Sequence, residues 1–291
     1  MSQIRQQNLE FARPLLLANV SMEDSRLDPL KNSINAYIDS RTRDGVLQSA
    51  SVYVRVLNKG AWVGINEYER YSPGSLLKVP LMIYFLKQSQ SDPTLLTKTI
   101  KFDGHHDTRR LPTIICEQMI AGREYTVNEL LRRMIMFSDN DATVMLDNLV
   151  HGADAEVYSD LDLPKPDPAA QDYFITADEY SRFFRVLFNA TYLGAPMSDY
   201  ALKILSQSSF NDGITRPFSK GVLVPRKFGE REIAGVKQFH EFGIVYLGNE
   251  PYLLGVMTKG RDMNELTNVA SDISEIVYNT LKRNGSAWIG S

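Results

Sequence analysis

Three short segments place nucleophilic, basic and amide side chains at spacings that chemistry uses. In Pro73-Gly74-Ser75-Leu76-Leu77-Lys78 a serine and a lysine stand three positions apart, at the head of the apolar run Leu81-Met82-Ile83-Tyr84-Phe85-Leu86. On a helix, positions i and i+3 share a face, so hydroxyl and amine meet. A serine in the first turn also lies beside backbone N–H groups with no intrahelical partner, and these can hold a developing oxyanion. A desolvated lysine can take the serine proton. Ser138-Asp139-Asn140 separates two helical runs, and Lys227-Phe228-Gly229 follows Pro225 where strand signals resume. Taken singly, each segment also has a plain structural explanation: an N-cap serine, helix punctuation, a strand end with a solvated lysine.

The elements that must position these residues can be read from periodicity. Asp28 and Pro29 suit an N-cap and first helical position, and Leu30, Ile34, Tyr37 and Ile38 continue a helix to about Ser40. Ser51–Leu57, the turn Asn58-Lys59-Gly60 and Ala61–Ile65 predict a β-hairpin. From Pro73 to Leu202 helical patterns dominate, among them Val127–Met136 and Ala177–Leu187. Strands return after Gly221, with Ile244–Leu247 and Tyr252–Met257 flanking a turn at Gly248-Asn249-Glu250-Pro251. A last helix from Asn264 to Asn284 carries Leu266, Val269, Ile273, Ile276, Val277 and Leu281 on one face, with Gly285 as its stop. The economical packing is a mixed α/β fold of the α+β kind. One antiparallel sheet built from both chain ends is flanked by helices, and an all-helical lobe is inserted between its halves. The expected division is an extension packed loosely on the body (1–27), a sheet lobe (28–72 and 216–291) and a helical lobe (73–215).

Composition narrows the function classes. With 291 residues, 43% apolar, 23% charged and a net charge of −3, the chain is of ordinary globular make-up and has no basic field for nucleic acid. Cys116 is the single cysteine, which excludes an intrachain disulfide and a thiolate metal cluster. It sits in an apolar run and is expected to be buried and structural. His105, His106, His151 and His240 lack zinc-site spacing, though the adjacent pair beside Asp107 leaves a weak adventitious site open; no metal or other cofactor is expected. No apolar stretch is long enough to span a membrane, and the run near the amino terminus, broken by Pro14 and Asn19, is too brief for a signal-peptide core.

Together the three segments, in this order and on these elements, resemble the serine penicillin-recognising enzymes, the superfamily of class A β-lactamases and penicillin-binding proteins. The resemblance covers about residues 28–284 and extends to local context, Pro-Gly-Ser-Leu-Leu-Lys-Val-Pro around the first motif and Thr126-Val127-Asn128-Glu129-Leu130 leading into the second. It implies that Ser75 is the acylated nucleophile and Lys78 its base, that Ser138 relays a proton to the leaving nitrogen, and that Asn140 holds the substrate amide. Lys227 would bind a substrate carboxylate and keep Lys78 less basic. The backbone N–H groups of Ser75 and Glu230, the residue after Gly229, would form the oxyanion hole. The implied substrate is a small molecule or peptide, a β-lactam or a D-alanyl-D-alanine-like end, with no nucleic acid or membrane partner. The implied location is extracytoplasmic, with a cytoplasmic esterase on the same fold as the alternative.

Three departures bear on the reaction. Phe228 stands where the family has a hydroxyl for the substrate carboxylate, and a buried hydrogen bond to a charged group is worth about 1.5–3 kcal/mol. In the next strand, His240-Glu241-Phe242-Gly243 offers no arginine of the class A kind; His240 or Arg226 is the expected substitute, with Glu241 pairing a lysine. The stretch from Leu161 to Tyr173 contains no glutamate to activate a deacylating water; its mid-loop carboxylate is Asp167, read as a turn residue, and Asp172 is read as a loop anchor. A serine acyl-enzyme hydrolase, D,D-peptidase-like or a slow β-lactamase, is the resulting expectation. A true β-lactamase with an unconventional water base and a non-catalytic ligand-binding domain are its rivals.

Overall fold

In the computed structural model, residues 9–12, 14, 23–105, 116–166, 173–218, 221–248 and 250–284 are described. Helix α1 (Asp28–Arg43) is followed by strands β1 (Leu47–Val56), β2 (Trp62–Ile65) and the two-residue β3 (Arg70–Tyr71). A 3₁₀ turn at Gly74–Leu77 leads into α2 (Lys78–Ser89). Short strands β4 (Thr99–Lys101) and β5 (Glu124–Thr126) then precede α3 (Val127–Met136), α4 (Asn140–Val150) and α5 (Ala155–Asp160). After β6 (Ile175–Thr176) come α6 (Ala177–Asn189) and α7 (Ala195–Ser206). The chain closes with β7 (Arg226–Ile233), β8 (Val236–Val245), β9 (Tyr252–Gly260) and α8 (Met263–Asn284).

Five strands pair antiparallel in the order β2-β1-β9-β8-β7, so the sheet does join the two chain ends. Its central strand β9 holds Val52 of β1 opposite Val256 and Glu241 of β8 opposite the same residue. Side chains alternate across the pleat, and the two faces feed two separate cores. Val52, Val54, Val63, Phe239, Leu254 and Val256 face α1 and α8, whose Leu30, Ile34, Leu266, Val269, Ile273 and Val277 close that side. Tyr53, Phe242, Ile244, Leu253 and Met257 face the helices α2 to α7, packing with Phe85, Leu130, Phe183, Phe184 and Leu205. Burying each such side chain contributes about 1.5–3 kcal/mol, so both faces need a helical cover.

Two helix starts are fixed by reciprocal caps. Thr126 accepts from the Glu129 N–H while Glu129 accepts from the Thr126 N–H, and Thr176 and Glu179 repeat the arrangement at α6. The first helix differs from expectation at its start: Asp28 already lies within it, behind a 3₁₀ turn (Ser25–Leu27) capped by Asp24. The extension is not loosely packed where it is described. Phe11 and Ala12 are buried, their N–H groups both donate to Asp199 Oδ1 (2.5 and 2.9 Å), and the Phe11 carbonyl accepts from the Tyr246 hydroxyl. Among the described residues no helix is long and apolar enough to cross a membrane.

Candidate active site

Ser75 is held by a turn that only glycines permit. Gly74 has φ +54°, a left-handed conformation, and the segment Gly74–Leu77 winds as a 3₁₀ helix rather than as the first α-turn. With three residues per turn, positions 75 and 78 eclipse one another, so both project to the same side. The turn lies against β7 with almost no clearance. A methyl group on Gly74 would sit 2.3 Å from the Glu230 carbonyl oxygen, and one on Gly229 would sit 2.3 Å from the Pro73 carbonyl oxygen. The Tyr180 hydroxyl, fully buried, donates to the Leu76 carbonyl at 2.8 Å and pins the turn from the helical side.

Lys78 leaves α2 and donates to the Ser138 carbonyl (2.7 Å), the Ser138 hydroxyl (3.0 Å) and Asn140 Oδ1 (2.7 Å). Ser138 can present all this because it bridges α3 and α4 with φ +52°, a strained value for a residue with a Cβ. Asp139 anchors that bridge: its Oδ1 accepts from the N–H groups of Asp141 and Ala142, and its Oδ2 lies 2.8 Å from Arg133. Lys227 comes from β7 and donates to the same Ser138 hydroxyl (3.1 Å) and to the Phe228 carbonyl (2.8 Å). One hydroxyl therefore sits between two amines. Burial, and then the neighbouring Lys78 charge, hold the Lys227 amine well below the usual lysine range. A neutral amine in this group would have a lone pair free for the hydroxyl proton, which is the requirement for a relay.

These residues line one cavity of about 880 Å³, with some exceptions. Ser75, Lys78, Ser138, Asn140, Phe228 and Glu230 are on its wall. Lys227, 0% exposed, and Gly229 stand behind it. Phe228 is on the wall but committed to the core, its ring stacked on Phe210 at 4.4 Å and under the Lys227 amine at 4.1 Å.

Four expectations need correction. His240 does not reach the cavity. It is 0% exposed behind Ser72, whose carbonyl lies 3.0 Å from Nε2, and Nδ1 accepts from the Thr258 N–H. Burial pushes its pKa down to about 3, so it carries no charge to offer an anion. Arg226 points the other way, donating to the carbonyls of Ser208, Phe210 and Val224 and to Asn211 Oδ1. Glu241 faces Arg226 at 3.7 Å and accepts from the Ile214 N–H rather than forming a lysine pair. Cys116 is half-buried on the cavity wall, next to Arg133 and Asp139, and not in a closed core. Asp107, Asp167 and Asp172 lie outside the described residues.

The cavity also has lining residues that sequence reading missed. Asp147, Asp154, Tyr158, Tyr173, Arg231 and Glu232 line it. Asp147 is two turns beyond Asn140 on α4, a spacing of seven that keeps both on one helix face; that periodicity was the available signal. Although solvent reaches it, the protein around it and the Asp154 charge push its carboxyl up to about 6. Burial pushes the Glu230 carboxyl up to about 6 as well, against the pull of Lys227.

Residues 29–281 match the family model described as "Beta-lactamase enzyme family". A comparison with curated proteins finds no match. Among solved structures, an extended spectrum beta-lactamase, TLA-1, superposes with a TM-score of 0.74 at 17% identity, covering 88% of this chain and 99% of its own. PBP-A superposes with a TM-score of 0.72 at 19% identity, over 92% of this chain and 100% of its own. A beta-lactamase from Sphaerobacter thermophilus gives 0.72 at 20%, over 87% and 97%. A further PBP-A structure is an acyl-enzyme complex with penicillin G. At these identities the likeness establishes the fold.

Proposed function

Because the chain belongs to the beta-lactamase enzyme family and has its fold, we propose that it is a serine acyl-enzyme hydrolase in which Ser75 attacks an amide or β-lactam carbonyl. The observation that carries this reading is the Lys78–Ser138–Lys227 network beside Ser75 on one cavity wall. Lys78 takes the Ser75 proton as the Oγ–carbonyl bond forms. The oxyanion is held by the backbone N–H groups of Ser75 and Glu230, which the packing of Gly74 on the Glu230 backbone and of Gly229 on Pro73 and Leu76 brings close. Collapse of the tetrahedral intermediate expels the leaving nitrogen, which receives a proton through the Ser138 hydroxyl. Asn140 orients the acyl amide. An extracytoplasmic site of action on peptidoglycan-like peptides accords with this chemistry.

Release of the acyl group is the slow half. Acylation has its nucleophile, base and oxyanion donors, whereas no glutamate faces the ester from Leu161–Pro166 or from Tyr173 onward to α6. This favours a D,D-peptidase or slow β-lactamase over a fast one. One observation favours the rival, a working β-lactamase: Asp147 lies in the same cavity with a carboxyl raised to about 6, a suitable basicity for activating water. Intact-mass spectrometry after exposure to a penicillin tests both readings. A covalent adduct that disappears in Ser75→Ala is expected, and an unmodified mass with no turnover would count against an active Ser75.

A further inference from the structure

The cavity around Ser75 holds more charge than acyl transfer uses, and most of it has one sign. Five carboxylates line it, Asp139, Asp147, Asp154, Glu230 and Glu232, against the two cations Lys78 and Arg231. Arg133 offsets Asp139 at 2.8 Å, which leaves four. Two come from β7, Glu230 beside the backbone N–H assigned to the oxyanion, and Glu232 two residues on. The others come from α4 and from Asp154, immediately before α5. When Lys78 serves as a neutral base it adds no positive charge, so the imbalance is greatest in the reactive state.

Of the groups expected to greet a substrate anion, Lys227, Arg226 and His240 are turned away from this space, and Phe228 offers no side-chain donor. This leaves Arg231 as the standing cation on its wall. Lys227 is 0% exposed, with its amine on the Ser138 hydroxyl and the Phe228 carbonyl. Arg226 is tied to the 208–211 segment, His240 is neutral behind Ser72, and Phe228 has its ring stacked on Phe210 in the core and carries no hydroxyl for a carboxylate. Like charges brought together in a partly desolvated cavity repel strongly enough to reject a partner, and opposite charges select one.

We propose that this pocket selects substrates bearing a protonated amine beside the scissile carbonyl and disfavours those bearing a carboxylate there, with Glu230 as the residue that reads the charge. The inference rests on Ser75 as the nucleophile and narrows that reading. A peptide end with a free terminal carboxylate is then the less favoured member of the amide class, and an amine-bearing amide, lactam or ester the favoured one.

The test uses one penicillin nucleus in three forms: the free carboxylate, its neutral carboxamide, and its 2-aminoethyl amide. Rates of Ser75 acylation are read by intact mass, and equilibrium binding of the same three to Ser75→Ala is read by calorimetry. The expected order is cationic over neutral over anionic, by about tenfold per step, and Glu230→Gln compresses the span. A carboxylate form that labels and binds best, or an order untouched in Glu230→Gln, overturns the proposal. If Ser75→Ala shows the charge order in binding while the parent is never labelled, the selectivity stands and the Ser75 reading falls. Labelling without charge order does the reverse.

Discussion

The two walls of the cavity are built in different ways. On one, three elements converge through short hydrogen bonds, α2 with Lys78, the α3–α4 bridge with Ser138 and β7 with Lys227, beside the 3₁₀ turn bearing Ser75. On the other, Asp147 and Asp154 stand apart from such a network, beside Tyr158, Pro166 and Tyr173. On the proposed reading, the first wall holds the groups for bond making at a carbonyl, which must be kept in near-attack positions. The second is open and anionic. Within one fold, then, the residues proposed to activate the nucleophile share a hydrogen-bonded network, whereas the acidic residues proposed to face an ester do not. This contrast underlies the expectation of fast acylation relative to release.

Breaking the first wall should have the largest effect. Lys78→Met removes the base and the donor to Ser138 and Asn140 while keeping a chain of similar length. Acylation by a penicillin is expected to fall by about 10³-fold or more, with the variant still folded by circular dichroism. Retention of near-parent acylation would move the base elsewhere. Next comes the glycine contact. Gly229→Ala forces its methyl onto the Pro73 carbonyl and pushes β7 from the Ser75 turn. A loss of about 10²–10³-fold in acylation is expected, the amount typical of a missing oxyanion donor, without a matching loss in reagent affinity. Near-parent acylation in that variant would contradict the assigned oxyanion hole.

A smaller, pH-dependent effect sharpens the comparison. The Glu230 carboxyl is raised by burial to about 6, so it is neutral below that pH and charged above. The ratio of acylation by a carboxylate-bearing penicillin to that by its carboxamide should rise several-fold as pH falls through about 6. Taking the ratio cancels the titration of Lys78. Lys227 and Lys78 face the site from behind and beside it, and Asp147, also raised to about 6, adds in the same direction. A flat ratio in Glu230→Gln assigns the effect to Glu230; a ratio that rises unchanged there assigns it to Asp147.

Much of this arrangement was legible in the sequence. Long periodic segments declared α1, the β1–β2 hairpin, α3, α6 and α8, and the three motifs named the residues of the first wall. The two-residue strands β3 and β6 were not legible, since so short a segment carries no period. His240 and Arg226 were misplaced for a related reason. Their identity promises positive charge, but strand register decides which face receives it, and register is a tertiary property. Cys116 lies on the cavity wall, where its Sγ accepts from Arg133, a contact across 17 residues of sequence that an apolar run does not report. The acidic second wall was missed because attention to motifs passes over single carboxylates, although the seven-residue interval from Asn140 to Asp147 was available.

On the proposed reading Ser75 is acylated and released slowly because the second wall supplies no efficient water base. The most direct measurement of this claim is intact mass against time after a single dose of penicillin, in the parent and in Asp147→Asn. Losing a general base costs about 10²–10⁴-fold in the step it serves. The expected result is an adduct on Ser75 that accumulates and persists well beyond the time of its formation, with the same decay in both proteins. Rapid multiple turnover with no detectable adduct in the parent, converted to a persistent adduct in Asp147→Asn, would contradict the claim and identify Asp147 as the base of a working β-lactamase.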